Sequence, residues 1–172
     1  MQNNSDKQNI FIYGGSQGSS PLLNKFLLIL KKLDYEDIKK IKLIIQSPKN
    51  LFESLNKDLK QLNVNYEISE FYNNIDEILS KVNIAITRAG SGTINDLINF
   101  RIPAIISPLT TAKDNHQYEN AKILSNAECA LILNNNKLNI DKIITFINKV
   151  VNDKNFNKSL LDNFSKINRP NA

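Results

Sequence analysis

Residues 10–30 read IFIYGGSQGSSPLLNKFLLIL: a short apolar run, a loop rich in glycine and serine, and an amphipathic stretch. The apolar run predicts a buried strand, because it is continuous and shows no polar alternation. Ser20 and Pro21 predict a helix start, since serine can cap the first turn and proline there gives up no hydrogen bond. Leucines and Phe26 then recur at the spacing of one helix face. The stretch therefore predicts a strand, a loop and a helix.

The same alternation continues along the rest of the chain. Apolar runs predict strands at residues 10–13, 41–45, 66–71, 84–87, 103–107 and 130–133. The stretches between them predict helices at residues 21–30, 50–62, 75–82, 93–100, 115–125 and 140–151, with one more from about 155. Strands that are apolar throughout are typical of a parallel sheet covered on both sides. The predicted fold class is α/β: a Rossmann-like open parallel sheet of about six strands with helices on both faces.

The composition supports one globular domain spanning residues 1–172. The chain has a net charge of +5, 41% hydrophobic and 23% charged residues, which argues against collagen, a disulfide scaffold or a disordered chain. Cys129 is the single cysteine, so we expect a small core residue and a reducing compartment. No apolar run reaches the roughly 18 residues of a membrane span, and Met1–Asn9 has no signal-peptide core. No basic cluster with interleaved aromatics is present, so we predict no nucleic-acid partner.

Polar and glycine-rich loops follow four of the predicted strands. They are residues 14–19, 72–74, 88–93 and 110–117. The carboxyl ends of parallel strands meet at one edge of a sheet, and ligands of open α/β sheets bind there. The sequence therefore predicts a binding site at this edge.

The two glycine loops each allow two interpretations. The loop at residues 14–19 leads into a helix whose positive end faces it, which suits a phosphate or diphosphate. A tight strand-to-helix turn is an equally good explanation, and the loop matches neither the dinucleotide fingerprint nor the P-loop. The loop from Gly90 to Thr93 also opens a helix, and two such loops are harder to explain as turns alone.

Three charged or polar residues also allow more than one interpretation each. Asp96 can accept hydrogen bonds from the vicinal hydroxyls of a ribose, or it can interact with the helix dipole. Arg88 can pair with a phosphate or with a carboxylate such as Asp96. His116, the single histidine, follows Asp114, a candidate helix cap; with Gln117 it can bind a sugar, act as a general base or face solvent. A lone histidine without other ligands predicts no metal site.

The ordered set of motifs resembles the carboxyl-terminal domain of the MurG family, the peptidoglycan N-acetylglucosaminyltransferases. The matching pieces, over roughly residues 10–150, are Gly14-Gly15-Ser16-Gln17-Gly18, Glu70-Phe71, Thr87-Arg88-Ala89-Gly90-Ser91-Gly92-Thr93, Pro103 with Pro108, and Asp114-x-His116-Gln117-x-x-Asn120-Ala121. The resemblance implies one half of an inverting GT-B glycosyltransferase, which consists of two Rossmann-like domains. This half would bind UDP-GlcNAc as a substrate, with no cofactor and no metal.

The resemblance also implies donor-binding roles for individual residues. They are Gly15, Ser16, Gln17 and Gly18 at the diphosphate, Tyr72 facing the uracil through its backbone, Arg88 near the nucleotide, Gly90 and Gly92 in the second loop, Thr93 by the phosphates, Asp96 at the ribose hydroxyls, His116 and Gln117 at the GlcNAc hydroxyls, and Asn120 supporting that loop. This sequence departs from the family mildly: Asp96 stands where glutamate is usual, and Ser19 where alanine is common.

The implied reaction is transfer of GlcNAc to lipid-linked MurNAc-pentapeptide, converting lipid I to lipid II in peptidoglycan synthesis. We expect the acceptor-binding amino-terminal domain, with the catalytic base, to be absent from these 172 residues. The chain alone would then bind UDP-GlcNAc without transferring it. The implied partners are the lipid-linked acceptor, an acceptor-binding domain or chain in trans and, indirectly, the membrane surface. The implied location is the cytoplasm or the cytoplasmic face of the inner membrane.

Three alternatives to this function remain open at the level of sequence. The chain can be the donor-binding subunit of a two-chain polysaccharide or lipid-linked GlcNAc transferase. It can be a non-catalytic nucleotide-sugar-binding module. It can also be part of an epimerase of the same superfamily, although such enzymes need a two-domain chain with catalytic acids.

Overall fold

The computed structural model describes residues 7–14, 20–109, 111, 115–134 and 136–168. Within them, six strands pair in parallel in the order β3-β2-β1-β4-β5-β6. They are β1 (Gln8–Tyr13), β2 (Ile41–Gln46), β3 (Asn65–Ser69), β4 (Ile84–Thr87), β5 (Ala104–Ile106) and β6 (Ala130–Ile132). The strand order is that of a Rossmann fold, which confirms the predicted fold class.

The helices alternate with the strands as predicted. They are α1 (Ser20–Leu30), α2 (Tyr35–Ile38), α3 (Phe52–Leu62), α4 (Ile75–Leu79), α5 (Ser91–Phe100), α6 (Asn115–Asn126), α7 (Lys137–Asn152) and α8 (Lys154–Asn163). Single 3₁₀ turns precede α3 and follow α8, at Lys49–Leu51 and Phe164–Lys166. Over the part of the chain given above, no helix is long and apolar enough to cross a membrane.

Several helix ends differ from the predictions, among them the end of α4 at Leu79 rather than residue 82, and one helix was not predicted. The helix α5 begins at Ser91 rather than Thr93, because Gly90 with extended backbone geometry occupies the cap position. The helix α7 begins at Lys137, three residues before the first apolar residue used to predict it. The helix α2 was not predicted, since its four residues are too few to show a helical period.

The two faces of the sheet are buried under separate sets of helices. Ile10 and Ile12 of β1 belong to an apolar cluster with α1, α3 and α7. Phe11 and Tyr13 of the same strand point to the opposite face and join a cluster with α4, α5 and α6. Alternate residues of a strand point to opposite faces, so burial on both sides explains why central strands such as β4 are apolar on both faces. The edge strand β3 is only partly buried and contains polar residues.

The strand β1 lies at the centre of the sheet. It pairs with β2 on one side, where Phe11 is opposite Ile44, and with β4 on the other, where Tyr13 is opposite Thr87. Along the chain, β2 pairs beside β1 and β3 beside β2, and β4 then pairs with the opposite side of β1. Open α/β sheets bind ligands in a crevice at a reversal of strand order of this kind.

Cys129 is a buried core residue, as predicted. It is fully inaccessible to solvent and lies directly before β6. Burial raises the pKa of its thiol to about 11, so the group stays protonated at neutral pH. The side chain therefore packs as a small hydrophobe.

Two substitutions in α1 test which face of this helix supports the fold. Phe26 is 1% exposed and Leu28 is 61% exposed. Phe26→Ala should lower the free energy of unfolding by about 3–5 kcal/mol, because it removes a ring from the core and leaves a cavity. Leu28→Ala, the matched control, should change it by less than about 0.5 kcal/mol. Urea denaturation measures both, and equal effects would contradict this assignment of faces.

Candidate functional site

Three of the residues predicted to bind a ligand, Tyr72, Arg88 and Gly90, lie in described loops at the carboxyl edge of the sheet, and the other described ones lie on α5 and α6. Gly14 is buried at the end of β1, residues 70–74 follow β3, residues 88–90 follow β4, and residues 107–109 follow β5. The predicted diphosphate residues Gly15, Ser16, Gln17 and Gly18, and the candidate cap Asp114, lie outside the described residues. The roles assigned to them stay predictions.

Arg88 brings a half-buried positive charge to this edge. Its Nη1 donates to the backbone carbonyl and to the hydroxyl of Ser107, each at 3.0 Å. Its Nε–H is buried and has no acceptor among the described residues. None of the carboxylates in the described part of the chain forms an ion pair with it, so the predicted alternative of an Arg88–Asp96 pair is wrong. Burial lowers the pKa of the Arg88 guanidinium.

Gln117 connects two of the loops. Its side-chain carbonyl oxygen accepts hydrogen bonds from the backbone N–H of Ala89 at 3.2 Å and of Leu109 at 2.9 Å. Asn120, one turn further along α6, donates to the carbonyl of Ala89 at 3.0 Å. The helix α6 therefore fixes the β4–α5 loop and the loop after β5 relative to each other. Sequence reasoning missed this structural role of Gln117, because both of its partners are backbone groups that no motif reveals.

These contacts limit which atoms of the Gln117 side chain can bind a sugar. Since its carbonyl oxygen serves the backbone, the amide nitrogen is the group that can donate to a sugar hydroxyl. His116 is exposed beside it, in the first turn of α6 at the carboxyl edge. The contacts of both residues with a sugar stay predictions.

The glycines of the second loop are not required by backbone conformation. Gly90 has φ −62°, which any residue adopts. A Cβ added at Gly92 would meet no atom within 4 Å, and one at Gly90 would meet only the Thr93 hydroxyl, at 3.9 Å. A strained turn therefore does not explain this loop. Because glycine has no side chain, the backbone N–H groups at the start of α5 are open to an approaching ligand.

Tyr72 directs its side chain into the protein. Its ring packs edge-on against Phe11 with centroids 5.9 Å apart, and its hydroxyl donates to the carbonyl of Ile45 at 3.4 Å. Burial and the nearby Glu67 carboxylate raise the pKa of Tyr72 to about 12. The side chain is thus occupied by internal contacts, and the predicted contact of Tyr72 with a base through its backbone stays a prediction.

Asp96 is a half-buried carboxylate on the exposed side of α5. Burial raises its pKa, and the negative charge of Asp76 raises it further. Among the described residues, none forms a hydrogen bond or ion pair with its side chain, and no three His, Cys, Asp or Glu side chains form a metal-binding group. A carboxylate in this setting is suited to accept hydrogen bonds from a neutral donor such as a diol.

Comparison with known proteins gives one family. Residues 9–169 match the glycosyltransferase family 28 C-terminal domain. A protein of Rickettsia bellii (strain RML369-C), named UDP-N-acetylglucosamine–N-acetylmuramyl-(pentapeptide) pyrophosphoryl-undecaprenol N-acetylglucosamine transferase, is 33% identical over 159 residues, covering 91% of this chain and 43% of that protein. A protein of the same name from Campylobacter jejuni (strain RM1221) is 36% identical over 143 residues, covering 83% of this chain and 41% of that protein. The chain thus spans less than half the length of these relatives.

Solved structures share the fold. MurG of Acinetobacter baumannii superposes with a TM-score of 0.75 at 23% identity, over 97% of this chain and 48% of that one. The spinosyn rhamnosyltransferase SpnG, in complex with thymidine diphosphate, superposes with a TM-score of 0.64 at 19% identity, over 94% of this chain and 42% of that one. At these identities the likeness establishes the architecture alone.

Substitutions of Gln117 separate its structural contacts from its capacity to donate. Gln117→Ala should lower the free energy of unfolding by about 1–3 kcal/mol, because two backbone N–H groups lose their acceptor. Gln117→Glu keeps an acceptor oxygen and should retain most of the stability while losing the amide donor. Urea denaturation of both variants measures the difference. Equal destabilisation by the two substitutions would show that the acceptor oxygen does not hold the loops.

The raised pKa of Asp96 predicts a pH-dependent stability. In the window between the ordinary aspartate pKa of about 3.9 and the raised value, the folded chain binds more protons than the unfolded chain. The free energy of unfolding therefore falls as pH rises through this window. Asp96→Asn should stabilise the fold at about pH 7 and lose this advantage at about pH 3, where both proteins are neutral at this position.

Thermal unfolding at these two pH values measures the effect. Asp76→Asn should act in the same direction at neutral pH, since it removes the like charge that faces Asp96. A variant Asp96→Asn that is less stable than the parent at neutral pH would contradict the assignment.

Proposed function

The chain belongs to the family of glycosyltransferase family 28 C-terminal domains, and from this we propose that it is the half of an inverting GlcNAc transferase that binds UDP-GlcNAc. The relatives are named for transfer of N-acetylglucosamine to N-acetylmuramyl-(pentapeptide) pyrophosphoryl-undecaprenol. We propose the same acceptor and a role in peptidoglycan synthesis for the protein to which this domain contributes.

The Arg88 guanidinium is the observation that carries the proposal. It lies half-buried at the carboxyl edge with a buried Nε–H that has no acceptor and with no carboxylate paired to it in the described part of the chain. A buried donor on a charged group costs stability when it is unmatched. The diphosphate of a nucleotide sugar supplies both an acceptor oxygen and a compensating charge.

The neighbouring groups match the other parts of a nucleotide sugar. The start of α5, left open by Gly92, offers backbone N–H groups and the positive end of a helix dipole to a phosphate. Asp96 on the same helix can accept hydrogen bonds from the two vicinal ribose hydroxyls. Gln117 and His116 at the start of α6 provide donors for the sugar.

The chemistry assigned to this half is binding, orientation and charge stabilisation. In the proposed reaction an acceptor hydroxyl attacks C1 of GlcNAc, the bond from C1 to the diphosphate oxygen breaks, and UDP leaves with the electron pair. Negative charge grows on the diphosphate, and Arg88 with the α5 N-terminus stabilises it in the transition state. We propose that the acceptor site, the catalytic base and the contact with the cytoplasmic face of the membrane come from residues other than these 172.

Calorimetric titration of the chain tests the donor assignment. UDP-GlcNAc and UDP should bind, and UDP-GalNAc and ADP-glucose should bind more weakly. Arg88→Gln should lower the affinity for UDP by about ten- to a hundredfold, because hydrogen bonds to a charged group are lost. Arg101→Gln removes the same charge from an exposed position at the opposite edge and should leave affinity unchanged. No binding of any uridine nucleotide by the folded chain would refute the proposal.

Gly92→Ala separates ligand approach from folding. The position lies in the first turn of α5 with open space around it, so alanine should stabilise the helix by up to about 1 kcal/mol. The added methyl group stands where the diphosphate is proposed to approach the backbone, so affinity for UDP should fall. Thermal unfolding and calorimetry of the same preparation measure both effects, and unchanged affinity would place the diphosphate elsewhere.

A further inference from the structure

The guanidinium of Arg88 bonds to the described part of the chain through one of its three nitrogens. Nη1 donates to the backbone carbonyl and to the hydroxyl oxygen of Ser107, each at 3.0 Å. Nε–H is buried and has no acceptor among the described residues, and none of them accepts a hydrogen bond from Nη2. Since Nε–H and one N–H of Nη2 point the same way from the planar group, they form an edge that is left for a ligand.

Ser107 is itself fixed at the end of β5. It is 3% exposed, and its backbone N–H donates to the carbonyl of Thr87 at 2.8 Å, which continues the pairing of β5 with β4. Pro108 follows directly and restricts Ser107 to an extended backbone. The next N–H along the chain, that of Leu109, donates to the Gln117 side chain at 2.9 Å. The two oxygens that bond to the guanidinium therefore belong to a segment held on both sides.

The contact with Ser107 orients the guanidinium without neutralising it. Both acceptor atoms are uncharged, and no carboxylate of the described residues forms an ion pair with Arg88. A carboxylate in the place of Ser107 would cancel the positive charge that attracts a phosphate. The structure instead combines a fixed orientation, an intact charge and a free pair of parallel donors, and such a pair matches two oxygens of a phosphate.

We propose that Ser107 is a positioning residue of the donor site, which binds Nη1 of Arg88 so that the edge formed by Nε and Nη2 faces the diphosphate. The inference rests on the proposed function and specifies which part of Arg88 meets the ligand. A long side chain loses rotamer freedom when it binds a ligand, and one that is already held loses less. The Ser107 hydroxyl therefore raises the affinity for the diphosphate through Arg88.

The Nε–H resonance of Arg88 tests this geometry by NMR in the unaltered chain. The chain contains three arginines, so the resonance is assigned by its loss in Arg88→Gln. Addition of UDP should move the Nε–H proton signal downfield and slow its exchange with water, because the group gains a charged acceptor. A signal that stays unchanged while UDP saturates the chain would show that another part of Arg88 meets the ligand, and it would overturn the proposal.

Ser107→Ala removes the hydroxyl and keeps the backbone carbonyl. The variant should bind UDP about three- to tenfold more weakly, because the guanidinium is less well oriented. In an Arg88→Gln background the same substitution should have no further effect on affinity, since Ser107 acts through the guanidinium. NMR titration of the 172-residue chain measures these affinities, and thermal unfolding shows whether each variant is folded.

Ser47→Ala is the matched control. Ser47 is 2% exposed at the end of β2, its N–H donates to the carbonyl of Ser69 on the neighbouring strand at 3.0 Å, and Pro48 follows it. Its hydroxyl donates to the carbonyl of Pro48 at 3.2 Å rather than to a group that holds an arginine. This variant removes a buried hydroxyl from the corresponding position of another strand and should keep the affinity of the parent for UDP.

The outcomes distinguish this inference from the proposed function. A parent chain that binds UDP, together with a folded Ser107→Ala variant that binds it equally well, would overturn the role of Ser107 and leave the donor assignment standing. A loss of affinity that persists in the Arg88→Gln background, or that Ser47→Ala reproduces, would also overturn it. If Ser107→Ala does not fold, the Nε–H signal of the parent chain decides. A folded parent chain that binds no UDP would refute the proposed function and this inference together.

Discussion

The parallel pairing of β1 with β4 is the interaction on which the rest of the molecule depends. Four consecutive residues of each strand are in register, from Ile10 opposite Ile84 to Tyr13 opposite Thr87. Because the strands are parallel, each must be reached by a crossover, and each crossover leaves its outgoing loop at the same edge. The order in which strands are added reverses at this pair, and open α/β sheets bind ligands in a crevice at such a reversal.

Unsatisfied polar groups collect at this crevice. Of the four buried side-chain atoms without a hydrogen bond in the described residues, three belong to Tyr13, Thr87 and Arg88, and the fourth belongs to Asn148 on α7. The apolar layers elsewhere are closely packed, with core residues of β1, β2 and β4 nearly inaccessible to solvent. Buried polar groups without hydrogen-bond partners, in a protein that is otherwise well packed, are typical of binding sites, because the ligand supplies the missing partners.

Much of the fold follows from the residues in order along the chain. Five of the six strands coincide with an apolar run, whereas the edge strand β3 (NYEIS) mixes polar and apolar residues. Ser20-Pro21 marks the beginning of α1. The less accurate predictions concern elements with weak local signals. The four residues of α2 cannot display a helical period, and α5 extends back to Ser91 because the extended backbone of Gly90, rather than an apolar residue, sets its start. Helix termini depend on backbone geometry and capping contacts, which periodicity does not encode.

The sequence by itself determined the alternation of strands and helices, the parallel sheet and the edge at which polar loops gather, since these follow from hydrophobic patterning. It also carried the ordered motifs that mark the family. Only the tertiary structure decided how the polar residues are used. The Gln117 carbonyl accepts hydrogen bonds from two backbone amides, and Arg88 donates to Ser107 rather than pairing with a carboxylate of the described residues. The physical reason is that hydrogen bonds and charges act over a few ångströms between residues far apart in the chain, whereas patterning records only whether a position is buried.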